Sequence, residues 1–336
     1  MTVSLADKDG NPVPNADTTK LTAASDPANA NFGSWTNNGD GTYTATVTST
    51  VAGDKKVTVS FDGGAITADG NDVARFVAGP VDVTNAGTTF TVTEGEKTAD
   101  GVATHTVTVS LADKDGNPVL NADTTKLTAS SDPANTTIGE WVNNGDGSYT
   151  ATVTSTVAGD KKITVAFDSG SITADGNDVA RFTAGAVDVT NAGTKFTVTE
   201  GEKAADGVAT HSVTVTLVDK DGNPVLNADA SKLVAISTPD GTLGTWVNNG
   251  DGTYTATITS TVAGAKTITV SFDGAPIKAD GNDVARFAAL PVDPPAPKDD
   301  LAITGLTALP LALLGALILG LGLLLMLTTR RKRQNP

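Results

Sequence analysis

Apolar and polar residues alternate with a period of two over much of the chain. Tyr43, Ala45 and Val47 fall on one face, and Thr42, Thr44, Thr46 and Thr48 on the other. The same alternation runs through Val57, Val59 and Phe61, through Phe90 and Val92, and through Val107, Val109 and Leu111. A period of two sends successive side chains to opposite faces, so each run predicts a half-buried β-strand. Asn37-Asn38-Gly39-Asp40-Gly41 and Ala52-Gly53 interrupt the runs with residues suited to tight turns. No stretch before residue 305 keeps apolar residues at helical spacing.

The pattern repeats. Asp7-Lys8-Asp9-Gly10-Asn11-Pro12-Val13 returns at 113–119 and again at 219–225, a spacing of 106 residues. Trp35, Trp141 and Trp246 follow the same spacing, as do Tyr43, Tyr149 and Tyr254, with one residue deleted in the last copy. Between residues 66–97 and 172–203, 29 of 32 positions are identical, so no single copy holds a unique site. A period this long exceeds a solenoid unit and fits one complete β-sandwich. The expected fold is all-β: tandem Ig-like sandwiches of about seven strands each, in an elongated rod.

Val3-Ser4-Leu5 aligns with Val109-Ser110-Leu111, so the first copy lacks the counterpart of roughly Val81–Val107. Without its first strand it is expected to expose a sheet edge and to be the least stable domain. Met1 would then lie inside a strand with no signal peptide before it, and more repeats or a head domain are expected upstream. The expected divisions are 1–79 (partial repeat), 80–185, 186–290 and a Pro-rich spacer at 291–300. After these come a pentapeptide at 301–305, a transmembrane helix at 306–329 and a basic tail at 330–336.

Composition changes this picture only in places. The chain has no cysteine, which removes disulfides, thiolate metal sites and Cys nucleophiles. A sandwich of about 100 residues buries enough core without such staples. Residues 1–300 carry all 38 acidic residues against 19 of the 23 basic ones, a net charge of −19. That field repels phosphates, so nucleic acid is not an expected partner. The remaining four basic residues, Arg330, Arg331, Lys332 and Arg333, stand together.

Before them, residues 306–327 carry no charge. As a helix these 22 residues would span about 33 Å, enough for a bilayer core. The basic cluster then acts as a cytoplasmic stop, giving a single-pass anchor with its N-terminus outside. The order Leu301-Ala302-Ile303-Thr304-Gly305, apolar span, basic tail also resembles the sorting signal of Gram-positive surface proteins. The resemblance implies a sortase whose Cys cleaves between Thr304 and Gly305 and passes the Thr304 carboxyl to a peptidoglycan amine. Ala302 stands where the commonest form has Pro, and this variant is similar to substrates of the sortase class of high-GC Gram-positives.

A second resemblance covers most of residues 1–290. Segments 3–13 (VSLADKDGNPV) and 37–59 (NNGDGTYTATVTSTVAGDKKVTV) resemble the bacterial Ig-like domains of the invasin and intimin type. The resemblance implies a cell-surface rod of the kind found in adhesins. No terminal receptor-binding module is recognisable.

Chemistry is sparse. Nucleophilic catalysis needs a base beside the nucleophile. The only histidines, His105 and His211, are equivalent positions on the strand face shared with Val107 and Val213. They read as structural, and no enzyme is expected. Trp35, Trp141 and Trp246 are candidates for stacking on sugar rings, against the alternative of one core Trp per sandwich. Asp113 and Asp115, in the D-x-D-G turn, are weak candidates for Ca²⁺. So are Asp175 and Asp178, in a second acidic loop expected near the domain ends. The alternative is that these side chains bond their own turn backbone. No other cofactor is expected.

The function that follows is a stalk or adhesin outside the cell, joined to peptidoglycan by a sortase. It would contact the membrane before processing and meet an unknown ligand on a host or neighbouring cell. Two alternatives stay open: the spacer of a wall-anchored enzyme whose catalytic domain lies upstream, and a glycan-binding wall component.

Overall fold

The middle repeat shows the complete plan. Its opening segment forms a strand at Thr89–Val92, breaks at Gly95 (φ 88°), and forms a second strand at Glu96–Thr98. His105–Ser110, Ser148–Thr154 and two short arms, Thr137–Ile138 and Val142–Asn143, complete the sheet begun by Thr89–Val92. The facing sheet pairs Gly159–Phe167 with Leu127–Asp132, Gly170–Ala174 and Val179–Thr183. The computed structural model describes residues 1–291. The rest of the spacer, the pentapeptide, the apolar span and the basic tail lie outside the described residues. Among the described residues no helix is long and apolar enough to cross a membrane.

The repeat therefore holds ten strands rather than about seven. The opening strand is one alternating run in sequence, yet its two halves pair with different sheets. Thr89–Val92 lies antiparallel to His105–Ser110 and parallel to Gly170–Ala174, while Glu96–Thr98 lies parallel to Val179–Thr183. One segment thus links both layers. The third repeat reproduces this arrangement with Lys195–Val198 and Glu202–Ala204.

Alternation places the core as expected. Phe90, Val107, Val109, Tyr149, Ile163 and Phe182 are all buried in one cluster between the sheets. Each such side chain contributes about 1.5–3 kcal/mol of burial. The Tyr149 hydroxyl is as well provided for as its ring: it donates to Val119 O at 2.7 Å and accepts from Ala122 N at 2.8 Å. Gly147 precedes this strand at φ 91°, and a Cβ there would lie 2.6 Å from the Pro118 Cβ, so both conformation and space demand glycine. His105 is fully buried, with Nδ1 2.9 Å from Thr93 O and Nε2 3.0 Å from Arg181 O. It braces the opening strand against the other sheet, with its ring edge-on to Phe182.

The first repeat lacks both pieces of the opening segment, not one strand. Its layers consequently fall into separate sheets of three, four and two strands. Val57, Val59, Ile66 and Phe76 are only part-buried there, whereas Ile163, Val165, Ile172 and Phe182 are buried.

Replacing Tyr149 by Phe removes both hydroxyl bonds and leaves the Val119 carbonyl and the Ala122 N–H without this partner. Denaturant unfolding is expected to show a loss of about 1–3 kcal/mol in the middle repeat.

Candidate functional site at the joints between repeats

The turn Asp113–Asn117 folds around one carboxylate. Asp113 Oδ1 accepts from the backbone N–H groups of Asp115 and Asn117, both at 2.9 Å, and Oδ2 accepts from the Asn117 amide at 2.9 Å. The sequence calls for this: Asp bonds the backbone two residues on, and Gly116 supplies the φ of 86° at which the chain reverses. Pairing of Asp113 N with Asn117 O at 3.0 Å closes the loop.

Three further bonds reach outside the repeat. Asp113 Oδ2 accepts from Gly79 N at 2.8 Å, on the segment leading out of the first repeat. Asn117 donates through Nδ2 to Thr50 O at 2.9 Å and accepts through Oδ1 from Ala52 N at 2.8 Å. The amide thus pairs with the loop of the preceding repeat as a peptide group would. Asp219 and Asn223 repeat the joint: Gly185 N to Asp219 Oδ2 at 2.8 Å, Asn223 Nδ2 to Thr156 O at 3.0 Å, Ala158 N to Asn223 Oδ1 at 2.8 Å. In the first repeat Asp7 and Asn11 build the same turn, but their side chains bond only within it.

Register fixes where these contacts sit. His105 pairs with Val153 and Ser110 with Ser148, so the turn after Ser110 and the loop after Thr154 leave opposite ends of the sandwich. Turn of one repeat on loop of the last is therefore an end-to-end joint.

Burial sets the electrostatics. Asp113 is 4% exposed and Asp219 1%. Burial opposes ionisation of Asp113 more than any other single influence. The Asn117 amide and the N–H groups of Gly79, Asn117 and Asp115 together outweigh it and hold the carboxyl at about 2. The same balance lowers Asp219. Asp7 is lowered by the Asn11 amide and the turn N–H groups.

The other candidate residues are dispersed. Asp115 pairs with Lys114 at 2.7 Å, and Asp178 lies 3.4 Å from Lys162. The loop of Asp175 and Asp178 sits halfway along Gly159–Phe167, where Asp178 O accepts from Ile163 N, and not at the domain ends as expected. The Asp113 oxygens face N–H donors, the surroundings of an anion acceptor rather than a cation ligand. Among the described residues no group of three or more His, Asp or Glu is placed to hold a metal. Trp35, Trp141 and Trp246 are part-buried, each against the core of its own repeat. Asn117 and Asn223 were missed as joint residues in the sequence reading. The available signal was that this Asn and the Thr-Val-Ala of the loop recur together in every copy.

Comparison with known proteins follows this architecture. The family described as "Invasin, domain 3" matches residues 1–79, 84–185 and 190–289, one match for each repeat. The chain belongs to the invasin domain 3 family. The inverse autotransporter adhesin YeeJ of Escherichia coli (strain K12) is 28% identical over 277 residues, 80% of this chain. The chain spans only 11% of YeeJ's length. The solved structure of FdeC, an Escherichia coli adhesin, superposes with a TM-score of 0.53 at 25% identity, over 84% of this chain and 89% of that one. InvD of Yersinia pseudotuberculosis gives 0.54 at 21% identity over 85% and 91%, a likeness of fold. The homologues are adhesins, and the repeats are invasin-type Ig-like domains.

Asn117→Ala is expected to cost about 1–3 kcal/mol and to speed hydrogen exchange at the Ala52 amide. Asn11→Ala, in the turn whose described bonds are all internal, should leave the Ala52 amide protected as before. The pH dependence has a definite sign. Asp113 has its carboxyl lowered from 3.8 to about 2 on folding, so its contribution is present above the higher value and lost as pH falls through the lower. Joint stability is expected to hold down to about pH 4 and to fall between there and pH 2, read by exchange at Gly79 N–H. Neither Ca²⁺ nor a chelator should shift the melting temperature.

Proposed function

We propose that the described repeats are the stalk of a surface adhesin and that residues 301–333 fasten its base to the cell wall. The twice-repeated joint carries the stalk reading: each pair of repeats is linked by a short segment and by side-chain bonds from a turn to a loop. Such a link resists bending because the amide of Asn117 or Asn223 must break two directional bonds before the repeats can swing. Near-identical copies suit this role, since copy number sets reach. The relatives named as adhesins support a place on the cell surface.

The anchor reading rests on the order of residues alone. Leu301-Ala302-Ile303-Thr304-Gly305 precedes an uncharged run and then Arg330, Arg331, Lys332 and Arg333. A sortase would cleave after Thr304, join its carboxyl to a peptidoglycan amine, and leave the run and basic tail in the membrane. The stalk would then project whatever part of the protein meets a host or neighbouring cell.

The test is mass spectrometry of protein released from cell walls by muramidase. A C-terminal peptide ending at Thr304 and bearing a peptidoglycan fragment is expected, and Thr304→Ala should leave the unprocessed chain in the membrane fraction. A tail intact through Pro336, recovered only from membranes, would replace the sortase anchor with a plain membrane span.

A further inference from the structure

The facing sheet of the third repeat ends in the strand Leu233–Thr238. It pairs with Gly264–Phe272 on one side and, among the described residues, with no strand on the other. Asp273 N donates to Lys232 O at 2.9 Å, which fixes the alternation of the ladder. Val234 and Ile236 turn their backbone groups toward Gly264–Phe272, and Ala235 and Ser237 turn theirs to the open edge. The Leu233 N–H is taken by Ala230 O, so Leu233 offers its carbonyl to that edge.

The outer face of this sheet differs from that of the other copies. Val234 and Ile236 are 50% and 58% exposed, where the middle repeat has Thr128 and Ser130 and the first has Thr22 and Ala24. Thr238 stands in place of Asp26 and Asp132. On the neighbouring strand Ala265 and Thr267 stand in place of Asp160 and Lys162, which pair with Arg181 at 2.8 Å and Asp178 at 3.4 Å. At these positions the face has lost its charges and gained β-branched apolar side chains at its rim. Charged side chains are a common means of keeping one sheet edge from another, and this strand carries none.

We infer that Leu233–Thr238 is a self-association edge, which pairs antiparallel about a two-fold axis with the same strand of a second copy of this chain. The strand is self-complementary about Ala235. Ala235 exchanges both backbone bonds with Ala235 of the second copy, Ser237 N–H reaches the Leu233 carbonyl, and Val234 stands opposite Ile236. This register alone sets both apolar side chains against apolar ones. A slip of two residues one way puts Ile236 against Lys232, and a slip the other way puts Val234 against Thr238. Charge favours the antiparallel direction. Lys232 precedes the strand and Asp240 follows it, so the two-fold brings opposite signs together, whereas a parallel pair would set Lys232 on Lys232. The net negative charge of residues 1–300 holds the copies apart elsewhere, which leaves this uncharged edge as the place of contact. The edge pairs on this basis whatever fastens the chain to the envelope.

The chain has no cysteine, so introduced thiols report proximity alone. Full chains carrying Val234→Cys and Ile236→Cys are mixed in detergent micelles and oxidised. Directly opposed positions lie about 4.5 Å apart between Cα atoms, and each position lies about 7–8 Å from its own twin. The disulfide-linked dimer is therefore expected to form at least about tenfold faster in the mixture than in either variant alone. Thr128→Cys mixed with Ser130→Cys, the same positions in the middle repeat, should show no such gain. In the unmodified chain, exchange at the Ala235 and Ser237 amides should slow as concentration rises from micromolar to millimolar. Val234→Thr with Ile236→Ser restores residue types that the folded middle repeat carries there, and should raise the concentration needed at least about tenfold. Equal cross-linking in the mixture and the single variants, an equal gain in the middle repeat, or an unchanged concentration dependence in the Thr/Ser variant would each overturn the inference. So would full protection of Ala235 at the lowest concentration, which would mean that another part of the same chain covers the edge.

Discussion

A carboxylate withdrawn from water at the boundary between two repeats must be given back the hydrogen bonds it loses. At Asp113 the donors come from its own turn, from the Asn117 amide and from the segment leaving the preceding repeat. That requirement couples three pieces of chain that are far apart in sequence. Backbone pairing and the Asp113 carboxylate close the turn, Asp113 Oδ2 also accepts from the Asn117 amide, and the amide held in this way meets the loop at Thr50–Ala52. The joint is therefore built from local turn chemistry with two bonds to spare, and Asp219 shows it built the same way again.

Inside each repeat a different constraint governs. The opening segment is split between layers at Gly95, and His105 braces the split from behind. Where that segment is present, Ile163, Val165 and Phe182 are sealed; where it is absent, Val57, Val59 and Phe76 remain partly open.

Membership of the invasin domain 3 family and the likeness to FdeC place these repeats among the Ig-like modules of adhesins. What the molecule does with them depends on arrangement more than on any one residue. Equivalent Trp and Asp side chains in every copy, and His105 and His211 in the two complete ones, are taken up by core packing, turn closure and sheet bracing.

The all-β class, the spacing of the repeats and the buried faces were legible from period-two alternation and from self-similarity, because both depend on neighbours along the chain. The turn at Asp113–Asn117 was legible for the same reason. Tertiary structure alone decided that one alternating run divides between two sheets at Gly95, and that the acidic loop of Asp178 lies on the flank of the sandwich. It also decided that Asn117 spends its amide on the preceding repeat. The first and last of these outcomes turn on which groups meet across 60 to 90 residues of intervening chain, as Asn117 meets Ala52 (65 apart) and Thr91 meets Asn177 (86 apart). A local pattern carries the need for a partner but not its address.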